Sequence, residues 1–71
     1  MYFVESTDPL SEVEDYERYG DAVKRVKEIA DELEGDGFTV DRSLASRRNM
    51  YAIHAWMPGR RGITVEVNDE E

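Results

Sequence analysis

The only histidine and the only tryptophan of the chain, His54 and Trp56, stand two residues apart in the run Met50-Tyr51-Ala52-Ile53-His54-Ala55-Trp56-Met57. In an extended chain, residues i and i+2 share a face, so this spacing sets an imidazole beside an indole. The imidazole has the chemistry of a general base near neutral pH. The indole offers a surface for stacking a base or anchoring a protein partner. Arginine pairs bracket the same run, Arg47 and Arg48 before it and Arg60 and Arg61 after it. Guanidinium groups near an aromatic ring are the residue types that hold phosphates while a base stacks. His54, Trp56, Arg47, Arg48, Arg60 and Arg61 are therefore the candidate binding residues.

Other chemistry is sparsely supplied. There is no cysteine, which removes thiolate nucleophiles and thiolate metal sites. Ser43 and Ser46 lie in loop-like sequence without a nucleophile-elbow motif. His54 is accordingly read as a surface residue hydrogen-bonded to Asp41 or Glu66 across neighbouring strands, and no catalytic residue is assigned. The sequence has no His-x₃-His pair and no calcium-loop signature. The acidic runs at 12–15 and 69–71 read as solvated charge. Gly35-Asp36-Gly37 follows a helical pattern instead of opening one, so it is no phosphate loop. No metal and no cofactor is assigned.

Positioning these residues requires a sheet. Tyr2 to Glu5 is aromatic and β-branched, as a short strand requires; Asp8-Pro9 breaks it. Ser11 and Glu14 have capping-box spacing, and Asp8-Pro9 is a competing helix start. The apolar positions Val13, Tyr16, Tyr19, Val23, Val26, Ile29, Ala30 and Leu33 recur at three and four, a helical stripe. Gly20-Asp21 suggests a kink or break, leaving a firm helix over about 21–34, ended by Gly35-Asp36-Gly37. After residue 37 the period changes to two. Phe38 and Val40 alternate with polar neighbours, as do Ile63, Val65 and Val67. Between them, 50–57 is apolar at almost every position, which points to a meander with this strand in the middle. The loops fall at 46–49 and 58–62, and 68–71 forms an acidic tail expected to fray. The fold class expected is α+β: one main helix on a mostly antiparallel sheet of three or four strands, in the order β-α-β-β-β, as a single domain.

Tyr51, Ile53, Ala55 and Met57 have the better aliphatic surface for the helix, which turns His54 and Trp56 outward beside Thr39, Asp41, Thr64 and Glu66. A slip of one residue would invert this. Three uses of Trp56 follow: a stacking platform for a ligand or base, a dimer interface, or, in the other register, plain core.

The chain has 71 residues and a formal charge of −8, with 17 acids against 9 bases. Burial of about 60% of the extended surface, expected at this size, is marginal for a monomer. Lys24 and Lys27 are the only lysines; the other bases are arginine. Such a composition, acidic and poor in lysine, resembles small proteins of haloarchaea. That resemblance covers the whole chain but has no motif behind it, and it implies a protein adapted to molar salt, where charge repulsion is screened within about 3 Å. No basic flank with an apolar stretch marks a leader, and no run approaches a membrane span; the expectation is a cytoplasmic protein without membrane contact. Residues 37–62 hold five arginines against Asp41 alone, whereas 1–36 hold twelve acids against four bases. The favoured role is a small interaction module, as a homodimer or with another protein. A nucleic-acid-binding accessory protein is the alternative, although its arginine pairs would sit roughly 25 Å apart and molar salt weakens phosphate contacts. An enzyme with His54 at a subunit boundary ranks third.

Overall fold

The computed structural model describes residues 1–8, 11–45 and 49–69, and the side chain of Ala45 is not included in that description. The elements are β1 (Tyr2–Ser6), β2 (Glu14–Tyr16), α1 (Tyr19–Gly35), β3 (Thr39–Ala45), β4 (Tyr51–Trp56) and β5 (Ile63–Asp69). All strand pairings are antiparallel, in the sheet order β2-β1-β5-β4-β3. The helix lies on one face and touches every strand. The architecture is α+β, with five strands instead of three or four, and with an extra strand ahead of the helix.

That extra strand replaces the expected capping box. Glu14 does not reach back to Ser11. Its carboxylate instead accepts from Tyr16 Oη at 2.6 Å and from Arg25 Nε at 3.1 Å. Backbone pairing of 14–16 with 2–4 gives β1 a second neighbour, and Arg25 ties the new edge to the helix. Val13, assigned by period to the helix stripe, is therefore exposed at 58%. The helix starts next to Gly20 and does not kink there. Its N-cap, Arg18, is extended and makes no side-chain cap. At the other end Gly37 N donates to Glu34 O and Phe38 N to Leu33 O, a Schellman closure.

The buried line of the helix is Ala22, Val26 and Ala30, spaced by four. Two alanines let the helix come close to Val4, Ile53, Val65 and Val67 on the sheet. Val26, Ile53, Val65 and Val67 are fully buried, each such side chain contributing about 1.5–3 kcal/mol. Tyr19 begins the helix edge-on to Tyr2, with ring centroids 5.6 Å apart, and its hydroxyl accepts from Tyr51 N. Lys27 lies over the Tyr51 ring. β5 runs to Asp69, where Asn68 faces Phe3 and Asp69 faces Tyr2. Of the tail expected to fray at 68–71, residues 68 and 69 belong to β5, with backbone partners on β1, and 70–71 lie outside the described residues.

A bulge lies in β3. Asp41 faces His54 and Leu44 faces Ala52, so Arg42 and Ser43 together oppose the single residue Ile53. Asp41 Oδ1 accepts from Ser43 N at 2.9 Å and from Ser43 Oγ at 2.6 Å, bracing the bulge. These bonds, the hydroxyl first and the amide second, hold the Asp41 carboxyl below its ordinary range, with the nearby His54 assisting. Arg42 bonds Asp31 and Glu34 on the helix, which raises its pKa further.

The β2 clamp makes a pH prediction. The hydrogen bond to Glu14 is the main cause pushing the Tyr16 phenol from 10.0 up to about 12. A raised folded pKa gives stability that is complete below pH 10.0 and lost as the pH rises to about 12. The same bond, with Arg25, lowers the Glu14 pKa, so Glu14's contribution is present at neutral pH and disappears as acid protonates the folded carboxylate. Melting curves should show wild-type stability falling more steeply than that of Tyr16→Phe between pH 10 and 12. Parallel curves for the two proteins would contradict the clamp.

Candidate docking face

Strand alternation sends Tyr51, Ile53 and Ala55 of β4 toward the helix and Ala52, His54 and Trp56 to the opposite face. Ile53 pairs with Val65, and His54 with Thr64, so the two faces stay in phase across the sheet centre. Trp56 is 43% exposed. His54 stacks on it, with ring centroids 5.8 Å apart and planes at 25°. The sequence spacing of His54 and Trp56 therefore does place the two rings together, on the helix-free face.

His54 is fixed from two sides. Its Nδ1 shares a 2.9 Å hydrogen bond with Thr64 Oγ1, so its partner across the strands is Thr64, not Asp41 or Glu66. Asp41 is occupied by Ser43, and Glu66 accepts from Asn68. The ring also lies over the backbone of Gly62, where an added Cβ would stand 3.0 Å from His54 Cε1 and 3.2 Å from Nε2. A residue with no side chain at position 62 is what lets the imidazole lie there and hold the indole.

The β3 bulge adds a residue that period alone could not supply. In an unbroken strand, Leu44 would fall on the same face as Val40, toward the helix. The bulge pairs it with Ala52, on the face of His54 and Trp56, where it is 40% exposed. Leu44, buried Ala52 and Trp56 thus occupy the β3–β4 half of this face. The other half is mainly polar and acidic. Glu5 and Glu66 face one another across β1 and β5, and like charges so placed repel. Asn68 Nδ2 donates to both carboxylates at 3.0 Å and partly offsets that repulsion. Phe3, half-buried, is the apolar residue on that side.

The described arginine pair, Arg60 and Arg61, separates from this face. Arg47 and Arg48 lie outside the described residues. Arg60 and Arg61 are exposed in the β4–β5 turn and line a cleft with Phe38 and Ile63. Trp56 lines a different groove at the β3 edge, with Glu34 of α1 and with Val40, Asp41, Arg42 and Ser43. The clamp of Arg60 and Arg61 around a base stacked on Trp56 is thus not formed as one pocket. The residue that the sequence did not reveal is Leu44, hidden by the bulge; Thr64 was expected on this face, but not as the hydrogen-bond partner of His54.

The close approach at Gly62 yields a test. Gly62→Ala should shift the His54 ring by a few tenths of an ångström, loosening its bond to Thr64 at a cost of up to about 1 kcal/mol. Trp56 emission should change with it, since its stacking partner moves. Urea unfolding and fluorescence that both match wild type would show that His54 does not depend on this contact. Comparison with family models, curated proteins and solved structures finds no match for the chain, so a functional reading rests on this geometry.

Proposed function

We propose that the chain is a small interaction module that forms a homodimer, joining the β3–β4 half of its helix-free sheet face to the same surface of a second copy. The carrying observation is Trp56, 43% exposed and held in place by His54. A braced, half-exposed tryptophan is the kind of anchor that dominates protein interfaces. Leu44 and Ala52 extend the apolar surface beside it. The face is also patterned for self-pairing. Its apolar residues gather on β3 and β4, while Glu5 and Glu66 lie toward β1 and β5. A twofold axis through the β3–β4 half brings Leu44, Ala52 and Trp56 toward the centre, beside an Asp41 carboxylate already held by Ser43, and leaves Glu5 and Glu66 at the rim.

Salt controls this association. Each copy carries a formal charge of −8, so copies repel at low ionic strength. In molar salt the repulsion is screened to about 3 Å, and apolar contact survives. The acidic, lysine-poor composition supports a salt-rich cytoplasm as the setting. Among the described residues no helix is long and apolar enough to cross a membrane. A nucleic acid is the less favoured partner, because Trp56 and the pair Arg60–Arg61 line separate clefts.

Sedimentation at high micromolar concentration should give a dimer in about 2 M KCl and a shift toward monomer near 0.1 M. Trp56→Ala should be monomeric in both while keeping its stability within about 0.5 kcal/mol, as expected for a surface site. A wild-type monomer in molar KCl would refute the dimer. Quenching of Trp56 by single-stranded RNA or DNA would favour the nucleic-acid role in its place.

A further inference from the structure

The cleft at the β4–β5 turn has the chemistry of a ligand site distinct from the docking face. Its position is set by a tight turn. Arg60 N donates to Met57 O at 3.1 Å, Pro58 and Gly59 occupy the central positions, and Gly59 has φ +78°. Proline followed by a residue at positive φ is the requirement of a type II turn, and glycine meets it without strain. The turn presents Arg60 and Arg61 together at the mouth of a cleft of about 280 Å³, whose walls include Thr7, Asp8, Phe38, Gly62 and Ile63.

Among the described residues, neither guanidinium group has a partner. In a chain with 17 acids, Arg25 and Arg42 each contact two carboxylates. The Arg60 and Arg61 side chains, by contrast, make no ion pair or hydrogen bond among the described residues. Asp8 is the one carboxylate on the wall, so the lining carries two cations against one anion. Thr7 Oγ1 accepts from Thr64 N at 3.0 Å, which leaves its hydroxyl hydrogen free to donate to an anion. Phe38, half-buried, and Ile63 supply an apolar wall next to these donors.

We infer that this cleft binds a small organic anion, a phosphate monoester with a flat ring, its phosphate held by Arg60, Arg61 and the Thr7 hydroxyl and its ring against Phe38. Arginine suits such a group because its planar fork matches phosphate oxygens. The volume of about 280 Å³ falls just below the range of drug-sized sites, about 300–1,000 Å³, which favours a single ring over a polymer. Strong binding in molar salt requires the apolar wall, since charge alone is screened there.

The test is an amide NMR titration of the full chain with phenyl phosphate, inorganic phosphate and phenol as separate probes, in about 0.5 M and 2 M KCl. Phenyl phosphate should shift the amides of Thr7, Phe38, Gly62 and Ile63 and bind about tenfold more tightly than inorganic phosphate, the value of one aromatic contact. Phenol alone should leave those amides in place. R60Q/R61Q should weaken phenyl phosphate about tenfold or more with an unchanged melting curve. Phe38→Leu should lower phenyl phosphate to the affinity of inorganic phosphate. Unmoved amides, equal affinity for the two phosphates in wild type, or wild-type binding by R60Q/R61Q would each overturn the proposal. Binding that persists in Trp56→Ala separates this site from the docking face.

Discussion

A single helix has to cover a sheet whose two edges it also connects. The strands before and after α1 are β2 and β3, and they form opposite edges of the sheet. Five strands at about 4.8 Å spacing are roughly 19 Å across. A helix of 17 residues is roughly 25 Å long, enough to cross that width at a slant and little more. The crossing explains why α1 touches every strand, and why its closest line is Ala22, Val26 and Ala30: large residues there would lift it off the sheet. It also leaves the opposite face without a covering element among the described residues. The core is thus one-sided, and the surplus apolar residues of β4 have to be explained on the other side.

Two local devices shape that uncovered face. The bulge braced by Asp41 and Ser43 turns Leu44 away from the helix and lets Arg42 reach Asp31 and Glu34. The bare backbone of Gly62 admits the His54 ring, which Thr64 holds from the neighbouring strand and which in turn stacks on Trp56. Neither device is needed to bury the core, since Ile53, Val65 and Val67 do that by alternation alone. Both fix side chains on a surface open to solvent. A charge-rich protein gains little from a braced tryptophan and an exposed leucine on its surface unless something covers them, which is the physical basis for the docking role we propose.

Much of this was legible in the residues. Helix 21–34 showed in its period and its glycine stop, and the last three strands in the change of period at Phe38. The outward position of His54 and Trp56 followed from comparing the two faces of 50–57, since Ile53 offers aliphatic bulk that His54 does not. What misled was the segment 13–19. Val13, Tyr16 and Tyr19 keep helical spacing, yet 14–16 becomes an edge strand because β1 offers open backbone groups and Arg25 offers Glu14 a partner. Both are long-range facts that a local period cannot contain. The bulge was invisible because the pairing of β3 with β4 that defines it is long-range, although its brace, Asp41 to Ser43, is local. Sequence could list the arginines but could not say which would be neutralised: Arg42 is engaged, and Arg60 and Arg61 have no partner among the described residues.

The docking of one uncovered face on another can be read from the lone tryptophan itself. Acrylamide, being neutral, quenches an exposed indole regardless of salt, so its quenching constant for Trp56 can be followed across a dilution series in molar KCl. A second copy seated on the face predicts a constant that falls as protein concentration rises and reaches a low plateau. A constant that stays at the value of a half-exposed tryptophan at every concentration would contradict the account at its centre.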